Sequence, residues 1–221
     1  FDRFVVLTAE DQGYWGALPN IRVIPNPLPF TSDETSSCKE TKVVAVGRYD
    51  FQKNFELLIR LWARLAPSFP DWELYIVGDG KMRAELTALV STLGLTGSVT
   101  LATPTHQMQE VYRSSSVYAM TSRYEGLPMV LLEAQQMGLP IVSFACPCGP
   151  RDVITDGRDG FLIELGDEER FVAGLSRLMS DEELRQRMGA EARQASLRYT
   201  VDQVMAQWIE LFEGLYKGTS K

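Results

Sequence analysis

The chain is poor in the groups that make metal, redox and nucleic-acid chemistry easy. It has one histidine, His106, and three cysteines, and nowhere do two aspartates stand one residue apart. A metal-bridged diphosphate of the kind that carboxylate pairs support is therefore not expected, and no metal is assigned. Three cysteines cannot all pair within one chain, and Cys146-Pro147-Cys148 is one residue short of a CxxC pair. Reduced, buried thiols are the expectation. Lys and Arg number 22 against 29 Asp and Glu, a formal net charge of -7 that lacks the basic excess a phosphate backbone demands, so no nucleic-acid partner is expected. No apolar run approaches bilayer-spanning length, and the start, Phe1-Asp2-Arg3-Phe4, has neither the charged leader nor the apolar segment of a secretory signal. A cytoplasmic location follows as the expectation. The chain begins without Met, straight into Phe4-Val5-Val6-Leu7, which predicts a piece of something longer.

What is present is a globular composition, 45% hydrophobic and 23% charged, with a regular alternation of patterns. Short aliphatic runs recur at Val43–Val46, Glu73–Val77, Val99–Leu101, Val117–Met120, Pro140–Phe144 and Phe161–Ile163. Runs of this kind, apolar on both faces, belong to a parallel sheet. Between them Phe55, Leu58, Ile59, Trp62, Leu65 and Ala66 keep helical spacing, as do Leu86, Leu89, Val90 and Leu93 before Gly94. The alternation predicts an α/β fold, a Rossmann-like doubly wound parallel sheet. After Phe161 the pattern is helical, with Asp167 and Asp181 as N-caps and a last helix from about Thr200 carrying Val204, Trp208, Leu211, Phe212 and Leu215 on one side. Residues 1–30 differ: two apolar runs lead into Pro25-Asn26-Pro27-Leu28-Pro29, a stiff extended connector, and the sheet proper is expected from about Lys42.

In an open parallel sheet ligands collect past the carboxyl ends of the strands. After Val46 comes Gly47-Arg48-Tyr49-Asp50-Phe51-Gln52-Lys53-Asn54, two cations just before a helix start, where a guanidinium fork and an ammonium can clamp a diphosphate. Val77 is followed by Gly78-Asp79-Gly80, with Arg83 where a dinucleotide fingerprint needs its third glycine. Met120 leads into Thr121-Ser122-Arg123-Tyr124-Glu125-Gly126-Leu127-Pro128, with Pro128 in the first turn of a helix and the amides of Gly126 and Leu127 available to a phosphate. Glu133 falls about one and a half turns into that helix among Val130, Leu131, Leu132 and Ala134, where a carboxylate needs hydroxyl or cationic partners. A ribose diol meets that need, and Glu125 can accept from sugar hydroxyls. Taken singly, each acid reads more readily as an exposed helix residue, and Cys146-Pro147-Cys148-Gly149-Pro150-Arg151-Asp152 as a turn into a short helix.

Taken together, Gly47-Arg48 with Lys53, the Gly78-Asp79-Gly80 turn and Glu125-x7-Glu133 resemble the retaining nucleotide-sugar glycosyltransferases called glycosyl transferases group 1, or family 4. The resemblance implies a GT-B architecture of two facing Rossmann-like domains, of which this chain matches the donor-binding C-terminal one. Residues 1–30 then correspond to the end of the N-terminal acceptor domain and the inter-domain connector, and 31–221 to the donor domain. By the same resemblance Arg48, Lys53 and Glu125 are the catalytic residues, and Gly47, Arg48, Lys53, Gly78, Glu125, Gly126, Leu127 and Glu133 bind the donor. The donor is a UDP- or GDP-linked sugar, a substrate rather than a cofactor, and no cofactor is assigned. The expected acceptor is a glycan or lipid-linked glycan in polysaccharide assembly, and the full-length protein is expected to work at the inner face of the membrane by peripheral association. The fragment alone is expected to bind donor without transferring sugar. The family's Gly after the third strand is replaced by Ala102-Thr103-Pro104, and its Gly-x-Pro-Glu appears as Gly149-Pro150-Arg151-Asp152. Two competing readings are a dinucleotide-dependent oxidoreductase, which the incomplete GxGxxG disfavours, and a non-catalytic nucleotide-binding module.

Overall fold

Strands covered on both faces need no polar alternation, and here six of them form one all-parallel sheet in a computed structural model that describes residues 2–16 and 18–218. The strands are β3 (Lys42–Val46), β4 (Glu73–Val77), β5 (Val99–Ala102), β6 (Val117–Met120), β7 (Ile141–Phe144) and β8 (Gly160–Ile163), following β1 (Phe4–Val6) and β2 (Ile21–Val23) of a separate small sheet. Their spatial order is β5-β4-β3-β6-β7-β8. The chain therefore winds outward one way from β3, returns, and winds outward the other way from β6. The order reverses between β3 and β6, paired through Val43 with Val117 and Val44 with Tyr118, and the crevice beyond their carboxyl ends is where such sheets take ligands.

Helices cover both faces. On one side α2 (Phe55–Leu65), α3 (Arg83–Thr92) and α7 (Glu168–Ser180) pack Trp62, Leu58, Ile59, Phe171 and Leu175 onto the sheet. On the other, α4 (Met108–Arg113), α5 (Met129–Gln136) and α6 (Pro150–Val153) enclose Tyr112, Tyr118, Leu131 and Leu132. Asp167 caps α7 by accepting from the Arg170 amide, and Asp181 caps α8 (Glu182–Ser196) by accepting from that of Leu184, as expected of these positions. Cys38, Cys146 and Cys148 are free thiols, and no helix among the described residues is long and apolar enough to cross a membrane.

The N-terminal residues add a small second unit, while Leu28 is already buried in the main core with Leu7 and Phe30 packed against it. β1 and β2 pair in parallel, with the six-residue α1 (Ala9–Tyr14) between them, capped by Thr8. Ile24 closes this unit against α9 (Val201–Gly218), whose Val204 and Leu211 are buried with it while Val5, Trp208 and Leu215 pack around them. Positions 204, 208, 211 and 215 lie on one helical stripe, but Phe212 lies a further 100° round from Leu211. It is 58% exposed and only stacks on the Trp208 ring, which corrects its expected place on the packed side.

Candidate functional site

The carboxyl ends of β3 and β4 meet through two glycines. A Cβ on Gly78 would stand 1.9 Å from the Gly47 carbonyl oxygen, so no side chain fits there without displacing backbone. Tyr49, the next buried residue of the first turn, donates its hydroxyl to the carbonyls of Ile76 and Ala102 at 2.8 and 3.0 Å, and burial pushes its phenol up to about 12. Arg83, the residue that breaks the dinucleotide fingerprint, holds this corner from outside. Its guanidinium donates to Asp79 Oδ1 and to the Gly78 carbonyl, both at 2.8 Å, and lies over the Tyr49 ring. The Gly78 turn is thus braced by a cation where a dinucleotide site would leave glycine.

The turn from Gly47 to Asn54 is sewn to the turn after β6. Arg123 donates its amide to the Gln52 carbonyl at 2.8 Å and its guanidinium to the Phe51 carbonyl and Asn54 Oδ1, while the Thr121 hydroxyl donates to the Asn54 carbonyl. The stem of Lys53 lies across Gly47. That path delivers its ammonium to Glu125 Oε1 at 2.6 Å, in a pair whose side chains are only 13% and 7% exposed. Gln52 Nε2 approaches the other oxygen, Glu125 Oε2, at 3.4 Å, and donates to the Tyr124 carbonyl at 3.0 Å. Lys53 and Glu125, 72 residues apart in the chain, thereby join the turns that follow β3 and β6.

Arg48 sits differently. Its side chain is 75% exposed, leans on Asp50 at 3.4 Å and donates to Gln52 Oε1 at 3.2 Å, so it reaches the acid only through Gln52. A long, solvated guanidinium at the lip is free to swing onto an anion. Across the crevice, no hydrogen bond is donated by the Gly126 or Leu127 amide among the described residues. Pro128 is at the cap, with ψ 95°, rather than in the first helical turn, because α5 begins at Met129. Its carbonyl accepts from the Leu131 amide, and the shift makes Glu133 the fifth residue of the helix, little more than one turn in.

Glu133 has a neutral partner. The Tyr112 hydroxyl, from α4, donates to its Oε2 at 2.6 Å, and burial pushes the Glu133 carboxyl above its ordinary range while this bond pulls it partly back. Burial drives the Tyr112 phenol well above 10, with the Glu133 charge adding to it. Cys146 lies near the acids too. Burial first, then the charges of Glu125 and Glu10, pushes its thiol up to about 12, which removes it as a nucleophile at neutral pH. Asp152, at the shortened acid position, is committed elsewhere: its carboxylate accepts from the Ala9 and Glu10 amides at 2.7 and 3.4 Å, capping α1. His106 is exposed.

The structure therefore joins Gly47, Lys53, Glu125 and Gly78 at the switch point, leaves Arg48 at the rim, and puts Glu133 on α5 against Tyr112. Gln52 and Tyr112 carry no signal in the sequence alone, since a glutamine in a loop and a tyrosine on a six-residue helix are read as solvated and core residues.

Similarity to known proteins bears on the family and the fold. Residues 31–195 match the family model described as Glycosyl transferases group 1. Among curated relatives, the amylovoran biosynthesis glycosyltransferase AmsD of Erwinia amylovora is 37% identical over 220 residues, covering 95% of this chain and 62% of its own length. An uncharacterised glycosyltransferase of Haemophilus influenzae is 34% identical over 211 residues, covering 94% and 60%. The chain thus spans about six-tenths of the length of these relatives. Among solved structures, that of a point mutant of S. aureus TarM in complex with fondaparinux, alpha-GlcNAc-glycerol and UDP superimposes with a TM-score of 0.86 at 23% identity, covering 96% of this chain and 44% of that one. With more than half of its residues inside the family model, the chain belongs to the glycosyl transferases group 1.

Proposed function

We propose that this chain is the donor-binding half of a GT-B glycosyltransferase that moves a hexose from a UDP- or GDP-linked donor to a glycan or lipid-linked glycan, with retention of anomeric configuration. Residues 31–221 are the donor domain. Residues 1–30 are the end of the acceptor domain and its connector, which accounts for a two-stranded sheet held apart from the six-stranded one. The observation that carries the reading is the nearly buried Lys53–Glu125 pair at the switch point, next in the chain to the Gly126 and Leu127 amides, which donate no hydrogen bond among the described residues. An ammonium held at a helix start by an acid is placed to share itself with an arriving diphosphate, and Arg48 can swing in from the rim to complete the neutralisation. Gly126 and Leu127 add amide hydrogen bonds to the departing nucleoside diphosphate. Glu125, relieved of part of its cation, accepts from hydroxyls of the transferred sugar, and Glu133 accepts from the ribose diol. Gly47 and Gly78 keep backbone out of the donor's way.

The cations do the neutralising, so transfer is metal-independent, and the full-length protein works from the cytoplasm at the inner membrane face on polysaccharide precursors; AmsD is named as a glycosyltransferase of amylovoran biosynthesis. The chain by itself binds donor and transfers nothing, because one wall of the cleft belongs to the acceptor domain. A thermal-shift panel of nucleotides and nucleotide sugars tests the class: UDP or GDP raises the melting temperature and NAD does not, and the opposite pattern would restore the oxidoreductase reading. In calorimetric titration Lys53→Ala and Arg48→Ala each weaken nucleoside diphosphate binding by about 1.5–3 kcal/mol. Unchanged affinity removes the residue from the site, and loss of full-length transferase activity in EDTA would overturn the metal-free assignment.

A further inference from the structure

We propose that Tyr112 is a positioning residue for Glu133: its buried hydroxyl pins one carboxylate oxygen so that the other is turned toward the ribose diol of the donor. The proposal rests on Glu133 as the ribose ligand and deepens that reading. Tyr112 is fully buried on α4, a different element from the acid it serves, and its hydroxyl meets Glu133 Oε2 at 2.6 Å, the length of a hydroxyl bonded to an ionised carboxylate. Oε1 accepts no hydrogen bond among the described residues.

A buried tyrosine needs an acceptor, and a backbone carbonyl is the cheap one, as Tyr118 shows beside it by donating to the Val46 carbonyl. Tyr112 instead meets a carboxylate that is itself largely withdrawn from water, where a charge is costly. Packing alone does not explain that choice, whereas a ligand with hydroxyls to donate does. The tyrosine is itself held. It is fully buried, and its ring lies 6.3 Å from that of Tyr118, whose hydroxyl approaches the Val46 carbonyl at 3.4 Å. A polar group locked by its neighbours fixes what it bonds to within a narrow range.

The titratable groups facing Glu133 are Tyr112 from α4 and Tyr118 from β6, and both phenols are driven well above 10, so each stays a donor throughout the working range. Glu133 alone titrates among them. Burial raises its carboxyl and the Tyr112 bond lowers it, so loss of the hydroxyl moves the titration toward neutrality.

The test is UDP and GDP titration of the full-length protein and of Tyr112→Phe and Glu133→Gln, from about pH 5 to about pH 8, beside the same nucleotides lacking both ribose hydroxyls. For whichever nucleotide binds, Tyr112→Phe raises the dissociation constant about ten-fold at the acid end and less at the alkaline end. The dideoxy nucleotide binds parent and Tyr112→Phe alike. A merely structural tyrosine would weaken both nucleotides together and leave the pH profile unmoved, and that result overturns the proposal. Should Glu133→Gln distinguish ribose from dideoxyribose while Tyr112→Phe does not, the positioning role falls and the ribose contact stands. Should Glu133→Gln not distinguish them either, the ribose contact falls as well.

Discussion

Glu125 and Glu133 are eight residues apart and chemically identical, yet the fold treats them in opposite ways. Glu125 lies in a loop and faces an ammonium at 2.6 Å, with a glutamine amide on its far oxygen. Glu133 lies on a helix and faces only a phenol. One acid is neutralised by a charge and the other is merely hydrogen-bonded, so burial is free to lift the second carboxyl above its usual range. On the proposed function, two roles are expected from these two surroundings: the first acid would share its cation with an arriving anion, and the second would offer an oxygen to a neutral hydroxyl.

The contrast breaks most sharply at the ion pair. Lys53→Met leaves a buried carboxylate without its cation and is expected to cost about 3–5 kcal/mol of stability by urea denaturation. The double variant Lys53→Met with Glu125→Leu is expected to recover most of that loss, because no lone charge remains, and a double variant as unstable as the single one would show that the pair is not the cause. At Glu133 the sign is reversed. A folded carboxyl raised above its ordinary value of 4.5 contributes stability that is fully present below that value and lost as pH climbs through the folded one, so the ionised form weighs against folding at neutral pH. Glu133→Gln, which still accepts from Tyr112, should melt above the parent at pH 7, with the gap closing as pH falls below 4.5. A lower melting point at neutral pH would erase the distinction between the two acids. Arg48→Ala is the smallest effect expected on stability, within about 0.5 kcal/mol, since the side chain is mostly solvated. Its binding loss without a stability loss would separate the solvated cation at the rim from the buried one beneath it.

The strands were legible because a strand covered on both faces reads as an unbroken apolar run, and Lys42 does open the large sheet. Asp167 and Asp181 were legible because a cap is decided within four residues. Gly47, Lys53, Glu125 and Glu133 stood out by residue type at strand ends. Their partners did not, for a physical reason: the bonds from Lys53 to Glu125 and from Tyr112 to Glu133 span 72 and 21 residues and are set by the order of strands, which no local pattern encodes. The Asp152 carboxylate reaches 143 residues back to Ala9, and α1 itself is six residues of polar sequence with no apolar stripe to announce it. Phe212 was misplaced because neighbouring apolar residues on a helix need not share a face.

That reach of Asp152 gears the small N-terminal unit to the crevice. Its carboxylate grips the first amides of α1, and three residues earlier Gly149, at φ +98°, is pressed so close that an added Cβ would stand 2.4 Å from the Gly126 carbonyl oxygen and from Pro128 Cδ. The four residues of α6 thus touch the N-terminal unit at one end and the turn carrying the Gly126 and Leu127 amides at the other, so a side chain added at Gly149 would have to displace that turn.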